Sequence, residues 1–362
     1  MLKWKFKFGR SAKLALGFIV SAVFVYLIAA KLEWEFVVES VSKAKWEWLA
    51  LAPIWLLGNI YFRIVRWWLL LRVKAPALTF RACIWPYILG AWLNIVIPFR
   101  AGDFVRAFGF RKQQMSPTSR ILGLLVLERV LDLLAVLVVF FIGIVEVVNS
   151  KVIPEAFSTA AVIIAALAVL GLACLIFLNR PMRYLVQLVT GLPPINKYEL
   201  SQKIRLWMDH FFDGVSIIRR PSIFVSVVSV TAVLWFLEGF TYYLVAIAIG
   251  AAEPPIASWF SFATAALATA IPSTPGFVGT FDYFAALGMS AFGVDWNTAT
   301  VFAVIVHIVL VLPYAVIMLV YGGFKLAGSN FFTGGQLPDN IETGAPGATD
   351  GTDGSSAGRS IR

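Results

Sequence analysis

The stretch Asn94-Ile95-Val96-Ile97-Pro98-Phe99-Arg100-Ala101-Gly102-Asp103-Phe104-Val105-Arg106 decides how this chain must be read. It joins an apolar leg, 82–98, to a basic, glycine-containing turn that opens another helix. Proline has no backbone N–H to continue a helix, so the leg ends at Pro98. A second apolar stretch, 257–291, is interrupted in the same manner by Ile271-Pro272-Ser273-Thr274-Pro275-Gly276. Two prolines and a glycine this close together stop a helix. In hydrocarbon, freed backbone groups survive only where protein or a wet cavity satisfies them. The two interruptions therefore predict two broken-helix hairpins dipping into a bilayer, with Pro98, Gly102, Pro272, Pro275, Gly276, Gly279 and Asp282 at the gating breaks.

The rest of the chain supplies that bilayer. Of 362 residues, 60% are hydrophobic and 14% are charged, against about 25% charged in a soluble domain. Full spans of ~20 apolar residues are expected at 14–30, 48–66, 121–145, 157–178, 222–249 and 298–322. The fold class is an all-α integral membrane protein with about six transmembrane helices and two membrane-dipping hairpins. Residues 14–30 read as a retained signal-anchor helix, with a cleaved signal peptide as the alternative. Residues 326–362, rich in Gly, Ser, Thr and Asp, read as a disordered polar tail.

The net charge of +10 is concentrated in a few connecting segments. By the positive-inside rule, the basic N-terminus 1–13 and the segments 63–81, 100–120 and 180–220 are cytoplasmic. The stretch 250–297 has no Lys or Arg and lies outside. The two hairpins then enter from opposite faces. A helix with Ile204, Trp207, Met208, Phe211, Val215 and Ile218 at helical spacing, about 200–218, is expected in the cytoplasmic interface. This charge pattern belongs to membrane loops rather than to a nucleic-acid face. No phosphate-binding glycine loop, metal-ligand spacing or cofactor motif is visible, and Cys83 and Cys174 sit in apolar runs.

An offset of 174 residues pairs Pro98 with Pro272, Trp85 with Trp259, Ala91 with Ala265, Leu93 with Leu267, Ile97 with Ile271 and Gly102 with Gly276. The units 48–145 and 222–322 then read as an inverted repeat, a layout in which transporters bind substrate between repeats near the midplane.

Ionisable residues deep in the spans are costly and usually face a bundle interior or cavity. Glu128 and Asp132, four apart, share one face of a helix with Arg129 between them. A structural ion pair of Arg129 with one of the carboxylates is one reading, and a polar translocation path or a proton-coupling carboxylate is the other; the two can coexist. Thr231, Trp235, Glu238 and Tyr242 form an inward stripe at helical spacing. His307 lies within the last span, where a helix-to-helix hydrogen bond and a path residue are both open readings. Arg63, Arg66, Asn94, Arg100, Asp103 and Arg106 gather near the first break, where arginines at a helix start suit a phosphate. Ordinary snorkelling is the alternative, and it suits Arg72 and Arg111 best.

Three motifs in this order carry a resemblance: Asn94…Pro98-x-Arg100-x-Gly102-Asp103-x-x-Arg106, then Glu128-Arg129-Val130-Leu131-Asp132, then Pro272…Pro275-Gly276-x-x-Gly279-x-x-Asp282. Together they resemble the flippase-like transmembrane region of lysylphosphatidylglycerol synthases, across roughly residues 10–325. Asp282 stands where the resemblance implies Glu, and Ser273-Thr274 is a second departure. The resemblance implies a flippase-like domain over 14–325 without the soluble lysyl-transferase domain, in a prokaryotic plasma membrane with a cytoplasmic N-terminus. It implies movement of an anionic phospholipid or lipid-linked headgroup between leaflets, not lysyl transfer, with no cofactor and with membrane lipids as partners. It leaves room for a homodimer. The alternatives are a non-catalytic partner of a separately encoded lipid-modifying enzyme or glycosyltransferase, and a membrane-embedded transferase using Asp103 or Glu128 as base.

Single cysteines placed at 99–103 and at 273–279 should react with an impermeant thiol reagent from opposite faces of the membrane. Reaction of both from one face would rule out hairpins of opposite entry.

Overall fold

Where water cannot serve the backbone, each N–H must find a carbonyl inside its own segment, so long apolar runs become helices. The structure is a computed structural model, and it describes residues 19, 21–28, 30, 33–97, 101–149, 170, 179–191, 199–271 and 273–327. The regular elements among them are all helical. In chain order they are α1 (21–28), α2 (Trp34–Ser42), α3 (Trp46–Arg72), α4 (Phe80–Val96), α5 (Ala101–Gly109), α6 (Thr118–Asn149), α7 (Asn179–Gly191), α8 (Glu199–Ser216), α9 (Pro221–Ala248), α10 (Pro255–Ala268), α11 (Thr280–Ser290) and α12 (Trp296–Ala327). Short 3₁₀ turns occupy Ile217–Arg219 and Pro275–Phe277. The chain up to Leu319 packs as one unit, and residues 320–327 extend α12.

Among the described residues, four helices are long and apolar enough to cross a membrane: α3, α6, α9 and α12. They correspond to the expected spans 48–66, 121–145, 222–249 and 298–322. The expected span 157–178, the residues 1–13 and the tail from 328 lie outside the described residues apart from Leu170, and of 14–30 the described part is residue 19, 21–28 and 30. α3 runs six residues past its expected end and keeps Arg63, Arg66 and Arg72 inside the helix. Charge does not end a helix when partners are available nearby.

The two shorter apolar helices, α4 and α10, each fold back on the helix that follows the break. In the first hairpin, Gly102 of α5 lies against the backbone of α4: a Cβ there would fall 1.9 Å from the Gly90 carbonyl oxygen. Only glycine permits that approach. In the second hairpin, Ser261 and Thr264 of α10 donate to the Ala285 and Phe284 carbonyls of α11 at 2.7 and 2.8 Å. The tips of the two hairpins face each other, Gly276 toward the Ile95 carbonyl.

α3 and α9 lie side by side and antiparallel. Lys45 donates its N–H to the Ala248 carbonyl, the Trp55 ring meets Phe240, Asn59 donates to the Leu234 carbonyl, and Arg66 reaches Thr231. Trp46 and Phe80 begin α3 and α4, and Pro221 and Pro255 begin α9 and α10, each 175 residues later. Asn59 and Leu234, which touch, are also 175 apart. α3 and α9 thus cross near their midpoints and run in opposite directions.

Two described helices, α2 and α7, fall in segments read from sequence as connections. α8 covers most of the helix expected over about 200–218 and divides its apolar residues: Phe212 and Val215 are buried, whereas Ile204 and Trp207 are exposed. α1 is built into the second hairpin. The Ser21 hydroxyl accepts the Thr274 N–H at 3.0 Å and donates to the Thr274 hydroxyl at 2.8 Å, and Phe24 packs on Tyr283 and Phe284.

Gly102→Val should destabilise the protein by about 3 kcal/mol or more, read as a lowered midpoint of thermal unfolding in detergent. Gly109→Ala, where the nearest atom to a new Cβ is 3.7 Å away, should leave the midpoint nearly unchanged.

Candidate functional site

The central feature is an arginine inside the protein. Arg66 of α3 is fully buried. Its two terminal nitrogens donate to Asp132 Oδ1 at 2.6 Å and Oδ2 at 3.1 Å, to Glu128 Oε1 at 2.9 Å and to the Thr231 hydroxyl at 3.1 Å. The fork geometry of guanidinium suits this, because two parallel N–H bonds can meet one carboxylate. Helical spacing supplies the other half: Glu128 and Asp132, one turn apart, present both carboxylates to α3. Asp132 also accepts the Trp235 indole N–H at 3.0 Å, and Glu128 also accepts from Arg106 of α5 at 2.5 Å.

Arg106 sits over the Trp67 ring at 3.9 Å and near the Tyr87 ring at 5.0 Å. Gln114, buried in the loop after α5, donates to the Arg106 carbonyl and accepts from the Trp67 indole, each at 2.9 Å. At the first break, Asn94 closes the chain on itself, donating to Asp103 Oδ1 at 3.0 Å and accepting the Asp103 N–H at 3.2 Å. The other Asp103 oxygen accepts from Arg129 at 2.7 Å. Arg63 donates to Asn59 at 2.8 Å and to Glu238, and lies over the Trp235 ring.

These pairs line or wall a cavity of about 530 Å³ that reaches from the first break to the second, with Arg63, Asn94, Asp103, Arg129, Glu238 and His307 among its lining. The size falls within the roughly 300–1,000 Å³ of ordinary ligand pockets. The arginines are not equally available to a ligand. The Arg129 side chain is 40% exposed and Arg63 14%, against 0% for Arg66 and 4% for Arg106. At the far side, His307 Nδ1 lies 2.7 Å from Asp282 Oδ1, and Asp282 Oδ2 accepts the Gly279 N–H at 2.9 Å. Gly279 has a φ of +83°, a conformation open to glycine, and it starts α11.

The structure thus brings together Arg63, Arg66, Asn94, Asp103, Arg106, Glu128, Arg129, Asp132 and Glu238, and places His307, with the buried Asp282 behind it, on the same cavity. Gly276 lines it too, Pro275 opens the 3₁₀ turn beside it, and Gly102 packs the first hairpin. Pro98, Arg100 and Pro272 lie outside the described residues, as does Cys174; Cys83 is a free, buried thiol. One pairing differs from the reading of local sequence. Arg129 does not bond to its helix neighbours Glu128 and Asp132 but reaches Asp103, because those two carboxylates point the other way, to Arg66 and Arg106. Asn59, Tyr87, Gln114 and Tyr314 were not anticipated, and lone polar residues between apolar ones give little local signal.

The lysylphosphatidylglycerol synthase TM region family matches residues 14–317. The chain belongs to that family. A UPF0104 membrane protein of Methanocaldococcus jannaschii is 23% identical over 229 residues, covering 63% of this chain and 90% of that protein. No solved structure matches the chain. Membership accords with the four apolar spans and the interrupted helices between them.

Arg66→Met should cost about 3–5 kcal/mol of stability, since it leaves Asp132 buried without its ion partner. Thermal unfolding in detergent reads the loss. Adding Asp132→Leu should recover part of it, because the pair then leaves together while Glu128 keeps Arg106.

Proposed function

We propose that this protein moves an anionic phospholipid, or the anionic headgroup of a lipid-linked compound, between the leaflets of a prokaryotic cell membrane. The observation that carries the reading is the charged cavity between the facing tips of two broken hairpins. A headgroup needs a polar route through hydrocarbon, and its tails need none, so a channel of paired charges open to lipid serves both. Arg129 and Arg63 are the residues that receive the phosphate. Each is already held by a carboxylate, Asp103 or Glu238, and a phosphate oxygen offers the guanidinium the same geometry. Arg66, Glu128, Asp132 and Arg106 form the wall that holds the helices while this exchange occurs. They serve the path by fixing its shape.

The antiparallel crossing of α3 and α9 supports an inverted repeat, with the hairpins 82–98 and 257–291 entering from opposite faces and acting as paired gates. The basic segments support a cytoplasmic N-terminus and capture from the cytoplasmic leaflet. Membrane lipids are the partners in this reading.

Reconstitution into liposomes with a fluorescent anionic phospholipid tests it, with transbilayer movement read by chemical quenching of the outer leaflet. The wild-type protein should move the lipid without changing it. Arg129→Gln and Arg63→Gln should each slow movement at least about tenfold, the loss of one charge-assisted contact of ~1.5–3 kcal/mol. Full rates in both variants would remove the site assignment. A new lipid product would indicate a transferase, and neither movement nor product would indicate a partner of another enzyme.

A further inference from the structure

Among the described residues, the cavity and its wall hold four arginines, Arg63, Arg66, Arg106 and Arg129. Four carboxylates match them: Glu238, Asp132, Glu128 and Asp103. Asp282 stands outside that balance. The ion pair it makes is with His307, at 2.7 Å. With a neutral imidazole the pair carries one negative charge; with one more proton it carries none, whichever atom holds the proton. Its charge is therefore set by a single proton, while the guanidinium–carboxylate pairs are held at fixed charge by arginine, which does not deprotonate in proteins.

Among the described residues, other ionisable groups line the same cavity. Tyr242 and Glu238 face the cavity from α9, Arg63 from α3, Tyr87 from α4, Asp103 and Arg106 from α5, Arg129 and Asp132 from α6, and Tyr314 from α12 itself. α10 has no ionisable side chain, α11 adds Tyr283, and α1 has only the exposed Tyr26.

We infer that Asp282 and His307 form a proton-binding site that couples proton movement to lipid movement in the same direction. The inference rests on the lipid-transport reading above and names its coupling ion. A phosphate entering the cavity meets a negative charge when the pair lacks its proton and no charge when the pair holds it. Like charges repel strongly in a low-dielectric site. Phosphate therefore binds better to the protonated pair, and by reciprocity the proton binds better when phosphate is present. Each transfer takes one proton from the side the headgroup leaves and releases one on the side it reaches, with only an N–H or O–H bond made and broken. Asp282 also caps α11 at the break through the Gly279 N–H. One member of the proton-binding pair is thus also the anchor of the second hairpin, so its protonation can reach the gate as well as the charge.

The test uses the full-length protein in vesicles of phosphatidylcholine containing a fluorescent anionic phospholipid, with and without an imposed pH difference. Vesicles loaded with a pH-sensitive dye report proton movement in parallel. Lipid should accumulate on the alkaline side, up to about tenfold for each unit of pH difference, with lipid-dependent proton entry. In Asp282→Asn and His307→Gln, which keep hydrogen-bonding capacity but remove the shared titration, the ratio of rates with and without the gradient should fall to one, whatever the basal rate. A pair that only joins two helices would leave that ratio unchanged in any variant that folds. Wild-type lipid movement that ignores the gradient, or that proceeds without proton entry, overturns the coupling and leaves lipid transport standing. No lipid movement in any arm overturns both. The wild-type measurement decides the matter even if neither variant folds.

Discussion

A guanidinium removed from water must be surrounded by acceptors, and in this protein the requirement falls on Arg66. It draws Asp132 and Glu128 from α6 and Thr231 from α9 to one point on α3. Glu128 in turn holds Arg106 of α5, so four helices meet through one side chain and its immediate partners. Apolar packing between helices has little directional preference when lipid is equally apolar on the outside. The buried charges provide the direction. They fix which face of α6 turns toward α3, and that choice sends Arg129, one residue along, toward the cavity and Asp103.

The backbone and the charges obey different symmetries. α3 and α9 cross antiparallel, and α4 and α10 begin at the same separation from them, so the helices approach a two-fold arrangement. The charged residues divide unevenly, however: Arg66, Arg106, Glu128 and Asp132 all lie within 48–145. The ion cluster therefore belongs to one half, and the other half contributes Glu238 and the Asp282–His307 pair. A cavity between two similar scaffolds with dissimilar linings has two distinguishable ends.

Both breaks are stabilised by partners that the hydrocarbon could not supply. Asn94 and Asp103 satisfy each other across the first, with Arg129 completing the carboxylate. Ser21 and Asp282 satisfy Thr274 and Gly279 at the second. Each break is thus tied to a group in the cavity or on a neighbouring helix.

Much of this was legible in the amino-acid sequence because it depends on spacing along one helix. The apolar runs located the four described spans to within a few residues. The prolines and glycines located both breaks, and the period of 3.6 placed Thr231, Trp235, Glu238 and Tyr242 on one face, as it did Glu128 with Asp132. What spacing cannot reveal is which distant group a charge will choose. Arg66 and Asp132 are 66 residues apart, and Asp282 and His307 are 25 apart on different helices. Arg129 passes over two adjacent carboxylates for one on another element. Those choices are made by how the helices pack, since burial rather than proximity in the chain decides which partners a charge must have. The sequence by itself determined that the chain lives in a membrane with two interrupted helices. Only the tertiary structure decided which arginines are locked into the wall and which stay partly exposed at the cavity, because burial depends on how distant helices pack.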